Sequence, residues 1–144
     1  MNYSIISYII GCVLKFEGAF LLLPTIVSLI YNEHLFQYYL IIAIACLILG
    51  FILCSRKEEH PKLYTREGFV SVALSWIVLS AAGAVPFVLT GDIPSYIDAL
   101  FETISGFTTT GASILTDVEV MSNSGLFWRS FTHWIGGMGV LVFI

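Results

Sequence analysis

The chain has 144 residues, of which 58% are hydrophobic and only 11% charged, with a formal net charge of -4 and a mean hydropathy of +0.92. A water-soluble domain carries about 25% charged residues, so this composition excludes a soluble globular protein and places the chain among membrane lipids. No nucleic-acid partner is expected of it.

Four apolar segments each approach or exceed the ~20 residues a helix needs to cross a hydrocarbon core of ~30 Å. The first runs from Ile5 to Tyr31. It is too long for a removable signal peptide, carries Lys15 and Glu17, and lacks a basic amino end and a small-residue cleavage site. Lys15 and Glu17 are two apart, so they point to different faces of a helix. They lie near mid-membrane if Ile5 is at the inner surface, or at the cytoplasmic edge if the span begins near Cys12. Pro24 is expected to kink this helix.

The second segment runs from Leu35 to Cys54, and the loop after it holds four of the six basic residues: Arg56, Lys57, Lys62 and Arg66. The positive-inside rule places that loop, and with it the amino terminus, in the cytoplasm. The Asn32 to His34 turn, without Lys or Arg, then faces outward. In the third segment, Phe69 to Leu89, Ser71, Ser75 and Ser80 are expected to hydrogen-bond between helices. Cys12, Cys46 and Cys54 all lie in apolar spans without a CxxC pattern and read as small buried side chains, with neither a disulfide nor a metal site implied.

The connection from Gly91 to Gly125 lacks Lys and Arg but carries Asp92, Asp98, Glu102, Asp117 and Glu119. An acidic outer mouth concentrates cations. Within this connection, Pro94, Ser95 and Asp98 read as a helix start of the capping-box kind, with Asp in place of the usual Glu or Gln. The helix is expected to run to about Ser105 and to stop at Gly106 in the left-handed conformation. Its length of ~16 Å enters the hydrocarbon core without crossing it.

Phe107, Thr108, Thr109, Thr110, Gly111, Ala112 and Ser113 then form a β-prone, glycine-punctuated run. Non-helical backbone at membrane depth is tolerated only where protein buries it or where it lines a water-filled path. The expectation is a re-entrant loop in which the carbonyls of Thr108, Thr109, Thr110 and Gly111 replace the hydration shell of a cation. The negative end of the short helix would favour a cation nearby.

The fourth segment runs from Leu126 to Ile144. Glu102 either attracts cations or hydrogen-bonds the amides that hold the loop. The second role is preferred, because a carboxylate touching a dehydrated ion would hold it too tightly. Arg129 is expected to pair with Asp117 or Glu119 and brace the loop, or else to snorkel to the interface. His133 reads as a polar contact between helices rather than a metal ligand, because no second His or Cys stands at ligand spacing. Gly136, Gly137 and Gly139 allow tight packing or mark a flexible gate, and packing is preferred.

The stretch ALFETISGFTTTGAS, followed by LFWRSFTHWIGGMGVLVF, resembles the first pore repeat of the bacterial Trk potassium-uptake proteins, within the Trk/Ktr/HKT superfamily. The resemblance covers essentially the whole chain and is most specific from Ala99 to Phe143. It implies an all-α integral membrane protein in which two extra transmembrane helices precede one helix, re-entrant pore loop, helix repeat of a K+-channel-like pore. The implied division is 1–55 for the two amino-terminal helices, 56–66 for the cytoplasmic basic loop and 67–144 for the first pore repeat.

By the same resemblance the chain serves K+ uptake across a bacterial inner membrane. It supplies the first of four filter strands through Thr108 to Gly111, with Glu102, Ala112, Ser113 and Arg129 in support. The implied partners are three further repeats of a longer chain, a second copy forming a homodimer, and a cytosolic nucleotide-binding ring that controls opening. K+ is the cargo, and no other cofactor or transition metal is implied. A homotetramer of single repeats is the alternative. An intramembrane enzyme using Glu102 or His133, or a non-conducting scaffold, are the remaining readings. No paired nucleophile, metal-ligand cluster or nucleotide loop supports an enzyme.

Overall fold

The computed structural model describes residues 3–55 and 65–143. Every regular element among them is a helix: α1 (Tyr3–Phe20), α2 (Leu22–Ile30), α3 (Phe36–Cys54), α4 (Thr65–Thr90), α5 (Tyr96–Phe107) and α6 (Asn123–Phe143). The basic loop expected over 56–66 lies outside the described residues except for its end, where Thr65 and Arg66 begin α4.

The first apolar segment is two helices rather than one. Pro24 has no N–H for the Phe20 carbonyl and its ring crowds that carbonyl, so α1 ends at Phe20 and Leu21 is a turn residue. The Leu21 N–H still donates to the Glu17 carbonyl at 2.9 Å, and the Thr25 hydroxyl donates to the Leu21 carbonyl at 2.8 Å. The pair therefore acts as one apolar span, Tyr3–Ile30. With Phe36–Cys54 and Thr65–Thr90 it makes three helices among the described residues that are long and apolar enough to cross a membrane. The fourth segment is helical over 21 residues but is not among those three. Ser124, Arg129, Ser130, Thr132 and His133 lower its hydropathy.

Helix α1 packs along α3 in the opposite direction, because Gly11 lies against Leu53 and Gly50 while Gly18 lies against Ala43 and Cys46. A Cβ on Gly50 would stand 2.7 Å from the Gly11 carbonyl, so only glycines let the two backbones approach this closely. Lys15 packs on Gly50, within about one turn of the carboxyl end of α3, and its Nζ lies 5.1 Å from the Phe51 ring centroid. On its other side α3 leaves Ile41, Ile44, Ile48 and Ile52 exposed, a helical spacing that presents an apolar face.

Helix α4 continues through Pro86, which cannot donate to the Ala82 carbonyl. The flanking carbonyls of Ala81 and Gly83 accept side-chain hydrogen bonds from Tyr96 Oη and Trp128 Nε1, each at 3.0 Å. These bonds tie α5 and α6 to α4. Around them Leu21, Tyr39, Ala84, Phe87, Ala99 and Trp128 form the buried core. Two of the three serines singled out in α4 do not bridge helices as expected: the Ser71 hydroxyl donates to the Glu67 carbonyl one turn back, and the Ser75 hydroxyl is buried without a partner. Cys12, Cys46 and Cys54 are free thiols, with the sulfurs of Cys12 and Cys54 3.6 Å apart.

Candidate functional site

Helix α5 is 12 residues long, or ~18 Å at 1.5 Å per residue, about half of what a span requires. Ser95 is its N-cap, with extended backbone (φ -83°, ψ 122°), but its side chain makes no capping hydrogen bond. The capping box expected from Ser95 and Asp98 is thus absent. The helix also does not stop at Gly106. It continues to Phe107 and closes with Thr109 N–H donating to the Gly106 carbonyl and Thr110 N–H to the Ser105 carbonyl, both at 2.9 Å.

That 5→2 and 6→1 pattern is a Schellman end, and its left-handed residue is Thr109, at φ +57°. A β-branched residue at positive φ is a conformational outlier. Gly106 serves another purpose: a Cβ there would collide with the Thr132 side chain of α6. Gly136 likewise faces the Phe107 carbonyl with no room for a methyl group. Two glycines on two helices let α6 lie against the end of α5. Gly139 packs on Trp76, whereas Gly137 faces open space, so the packing expectation holds for Gly136 and Gly139 and fails for Gly137.

Beyond α5 the chain is irregular from Thr110 to Val118, and no β-strand forms among the described residues. The β-prone run has no partner strand to pair with, so its backbone groups go elsewhere. The Thr108 carbonyl accepts from the Thr109 hydroxyl at 2.7 Å, and the Ala112 carbonyl accepts from Ser105 Oγ at 2.5 Å. The Thr108 and Thr110 hydroxyls lie 2.8 Å apart. Among the described residues no donor reaches the carbonyls of Thr109, Thr110 or Gly111. Residues 108 to 114 are exposed, and Gly111 turns the chain at φ +76°.

A buried carboxylate holds this segment from behind. Glu102, 1% exposed, accepts hydrogen bonds from the Ser113 hydroxyl at 3.0 Å and the Ile114 N–H at 3.1 Å. Its Oε1 also accepts from Arg129 Nε at 2.5 Å. Arg129 therefore pairs with Glu102, not with Asp117 or Glu119, because α6 beyond its first turn lies against α5, with Gly106 on Thr132, rather than over the outer loop. His133 Nδ1 lies 2.9 Å from the Arg129 carbonyl of its own helix, so the expected contact between helices is a contact within one. No group of three or more His, Cys, Asp or Glu among the described residues is placed to hold a metal ion.

The acidic residues of the connection divide into two groups. Glu102 is buried and paired, and Asp92 is spent on the Ser122 N–H at 2.9 Å and the Ser122 hydroxyl at 2.7 Å. Asp98, Asp117 and Glu119 retain exposure. Reading the sequence missed Glu33, in the turn between α2 and α3. Its carboxylate accepts the N–H groups of Asn123 at 2.7 Å and Ser124 at 3.2 Å, and the Ser124 hydroxyl at 2.6 Å. A carboxylate on the first amides of α6 suits the positive end of that helix. Burial raises the Glu33 pKa, but these hydrogen bonds outweigh it and hold the carboxyl below its ordinary value. Nothing in the local sequence signals a partner 90 residues away. Ser105 was also missed, although a hydroxyl in the last turn of a helix is a visible cue.

The chain matches the sequence model of the family TrkH, described as cation transport protein, over residues 34–144. It is 43% identical over 137 residues to an uncharacterized cation transporter of Methanocaldococcus jannaschii, covering 95% of this chain and 29% of that protein. To the Trk system potassium uptake protein TrkH of Escherichia coli (strain K12) it is 34% identical over 144 residues, covering 99% of this chain and 30% of that protein. The crystal structure of the potassium transporter TrkH from Vibrio parahaemolyticus is similar with a TM-score of 0.90 and 34% identity. That match covers 99% of this chain and 31% of the other. The chain thus spans about three tenths of the length of the curated relatives it matches.

Proposed function

The chain belongs to the TrkH family of cation transport proteins, and from that membership and the geometry at the end of α5 we propose that it takes part in K+ uptake across a bacterial membrane, contributing one of four filter segments. The observation that carries the reading is the set of three undonated carbonyls, on Thr109, Thr110 and Gly111, along an exposed segment at the negative end of a half-length helix. Carbonyl oxygens without internal donors can take over coordination from the hydration shell of an entering cation. The helix end adds a favourable field.

In this reading Thr108 to Gly111 face the ion. Glu102, Arg129, Ser113 and Ala112 fix the segment from behind and never touch the ion. The division is a pair of amino-terminal helices over 1–55, a cytoplasmic loop over 56–66 and a first pore repeat over 67–144, with the amino terminus in the cytoplasm. One segment cannot surround an ion, so three further repeats complete the ring. The relatives named as transporters and uptake proteins are about three times as long as this chain, which favours repeats in one longer chain over a homotetramer of single ones. A second copy and a cytosolic nucleotide-binding ring complete the proposed assembly. The relatives are named as transporters, none as an enzyme.

The test is Gly111→Ser in the complete transporter, with K+ and Na+ uptake measured separately in cells lacking other K+ uptake. At φ +76° a side chain strains the segment by about 1–2 kcal/mol and re-aims its carbonyls. K+ preference over Na+ should fall. An unchanged preference would overturn the filter assignment.

A further inference from the structure

Glu17 lies on α1, outside the α5 to α6 connection, and is 1% exposed. Both of its carboxyl oxygens are buried without a hydrogen-bond partner. It is the one acidic side chain among the described residues in that condition. Glycine makes the space for it: a Cβ on Gly83 of α4 would stand 3.1 Å from Glu17 Oε1, 3.1 Å from Thr103 Cγ2 and 3.2 Å from the Phe107 ring. Carboxyl, Gly83 and the last residue of α5 therefore meet at one point, one residue before Thr108 in the chain. Beside that point is a half-open pocket of about 160 Å³ lined by Glu17 with Val13, Phe16, Phe20, Leu79, Phe107 and Ile135.

Among the described residues the surroundings offer no compensating charge. Lys15 points away onto Phe51. From α3 the Cys46 thiol is near enough to interact with Glu17, α4 presents Gly83 and Leu79, α5 presents Thr103 and Phe107, and α6 presents Ile135. The charges on α5 and α6 nearest in sequence, Glu102 and Arg129, are paired with each other. The Thr103 hydroxyl donates to the Ala99 carbonyl at 2.7 Å and so is turned away from Glu17. An ionised carboxylate in such a place is costly, and it would also face the negative end of α5.

We propose that Glu17 is a proton-binding site behind the filter helix, whose proton must be held for α5 to pack as it does, and whose loss draws water into the adjoining cavity and displaces Phe107. The cavity is large enough for water once a charge is there to hold it. Phe107 immediately precedes Thr108, so movement at Glu17 passes into the segment that meets the ion. The functional half of this inference rests on the ion-conduction reading of α5, whereas the presence of the proton does not.

The experiment uses the complete transporter in proteoliposomes, with uptake of K+ and of Na+ each followed across neutral to alkaline pH, and infrared spectra of the same samples. At neutral pH the wild type should show the carbonyl stretch of a protonated carboxyl that Glu17→Gln lacks. Its uptake should fall several-fold as the pH rises, while Glu17→Gln shows a flat profile with either ion. Gly83→Ala, which places a methyl against the carboxyl, should shift that band without removing it and serves if Glu17→Gln fails to insert. A wild-type spectrum without the band, or a Glu17→Gln profile that follows the wild type, overturns the proposal. Wild-type uptake that falls with rising pH but does not prefer K+ over Na+ would count against the filter assignment and leave the proton site standing.

Discussion

The bond between Glu102 and Arg129 sets an asymmetry that mutation can read. Glu102→Gln keeps the side-chain shape but replaces an acceptor for three donors with a group that accepts on one side and donates on the other. Arg129, the Ser113 hydroxyl and the Ile114 N–H can no longer all be satisfied. A hydrogen bond to a charged group contributes about 1.5–3 kcal/mol, and Arg129, at 19% side-chain exposure, can recover some hydration when left alone. The expected cost of Glu102→Gln is therefore about 2–3 kcal/mol. Arg129→Gln removes the partner from a carboxylate only 1% exposed, which water cannot reach, and stripping one member of a buried pair costs about 3–5 kcal/mol. The arginine change should thus be the worse of the two. The double variant should cost about 2 kcal/mol less than their sum, because each single variant already loses the shared contact. Reversible unfolding of the complete transporter in detergent measures all three. Uptake should fall in each, with a smaller shift in K+ over Na+ preference than Gly111→Ser produces. Additivity within about 0.5 kcal/mol, or a glutamate change more damaging than the arginine change, would refute the bracing role.

Three further outcomes follow from the same geometry. Gly136→Ala should lower the melting temperature by forcing α6 off the Phe107 carbonyl, whereas Gly137→Ala, which meets nothing within 4 Å, should be neutral or stabilising by up to about 1 kcal/mol through helix propensity; equal effects at the two positions would contradict the packing. Thr109→Asn should stabilise the end of α5 by about 1 kcal/mol, because asparagine tolerates the left-handed conformation at φ +57° better than a β-branched residue does; a loss of stability in the same unfolding assay would contradict this. The Glu33 carboxyl titrates below its ordinary value of 4.5 in the folded protein, so its hold on α6 is fully present above that pH and is lost as the pH falls through the folded value; the stability advantage of the wild type over Glu33→Gln should shrink in that acid window, and an advantage that persists unchanged there would exclude the carboxylate clamp.

Much of this protein is legible in its sequence because composition and short-range pattern carry it. The low charge content fixes the lipid solvent, Pro24 fixes a break in the first segment, and the apolar run lengths mark the three long spans, although they also offered a fourth from Leu126 that is helical but not among those three. The half-length helix is visible between Ser95 and Ser105, with its true end two residues later. What the sequence left open are choices between near-equivalent partners. It supplied two outer acids for Arg129, Asp117 and Glu119, and the packing of α6 on α5 selected a third, Glu102, 27 residues back. It offered Gly106 as the helix end, and the close approach of Thr132 assigned that glycine to packing and left Thr109 to take the left-handed turn. It placed Glu17 at either of two depths in the membrane, and only the meeting of α1, α4 and α5 at Gly83 showed a carboxyl with no partner. Local backbone preferences and hydrophobic runs are properties of a few neighbouring residues and survive without a fold. Pairings across 27 to 91 positions exist only once helices have chosen their contacts, and there the tertiary structure decides.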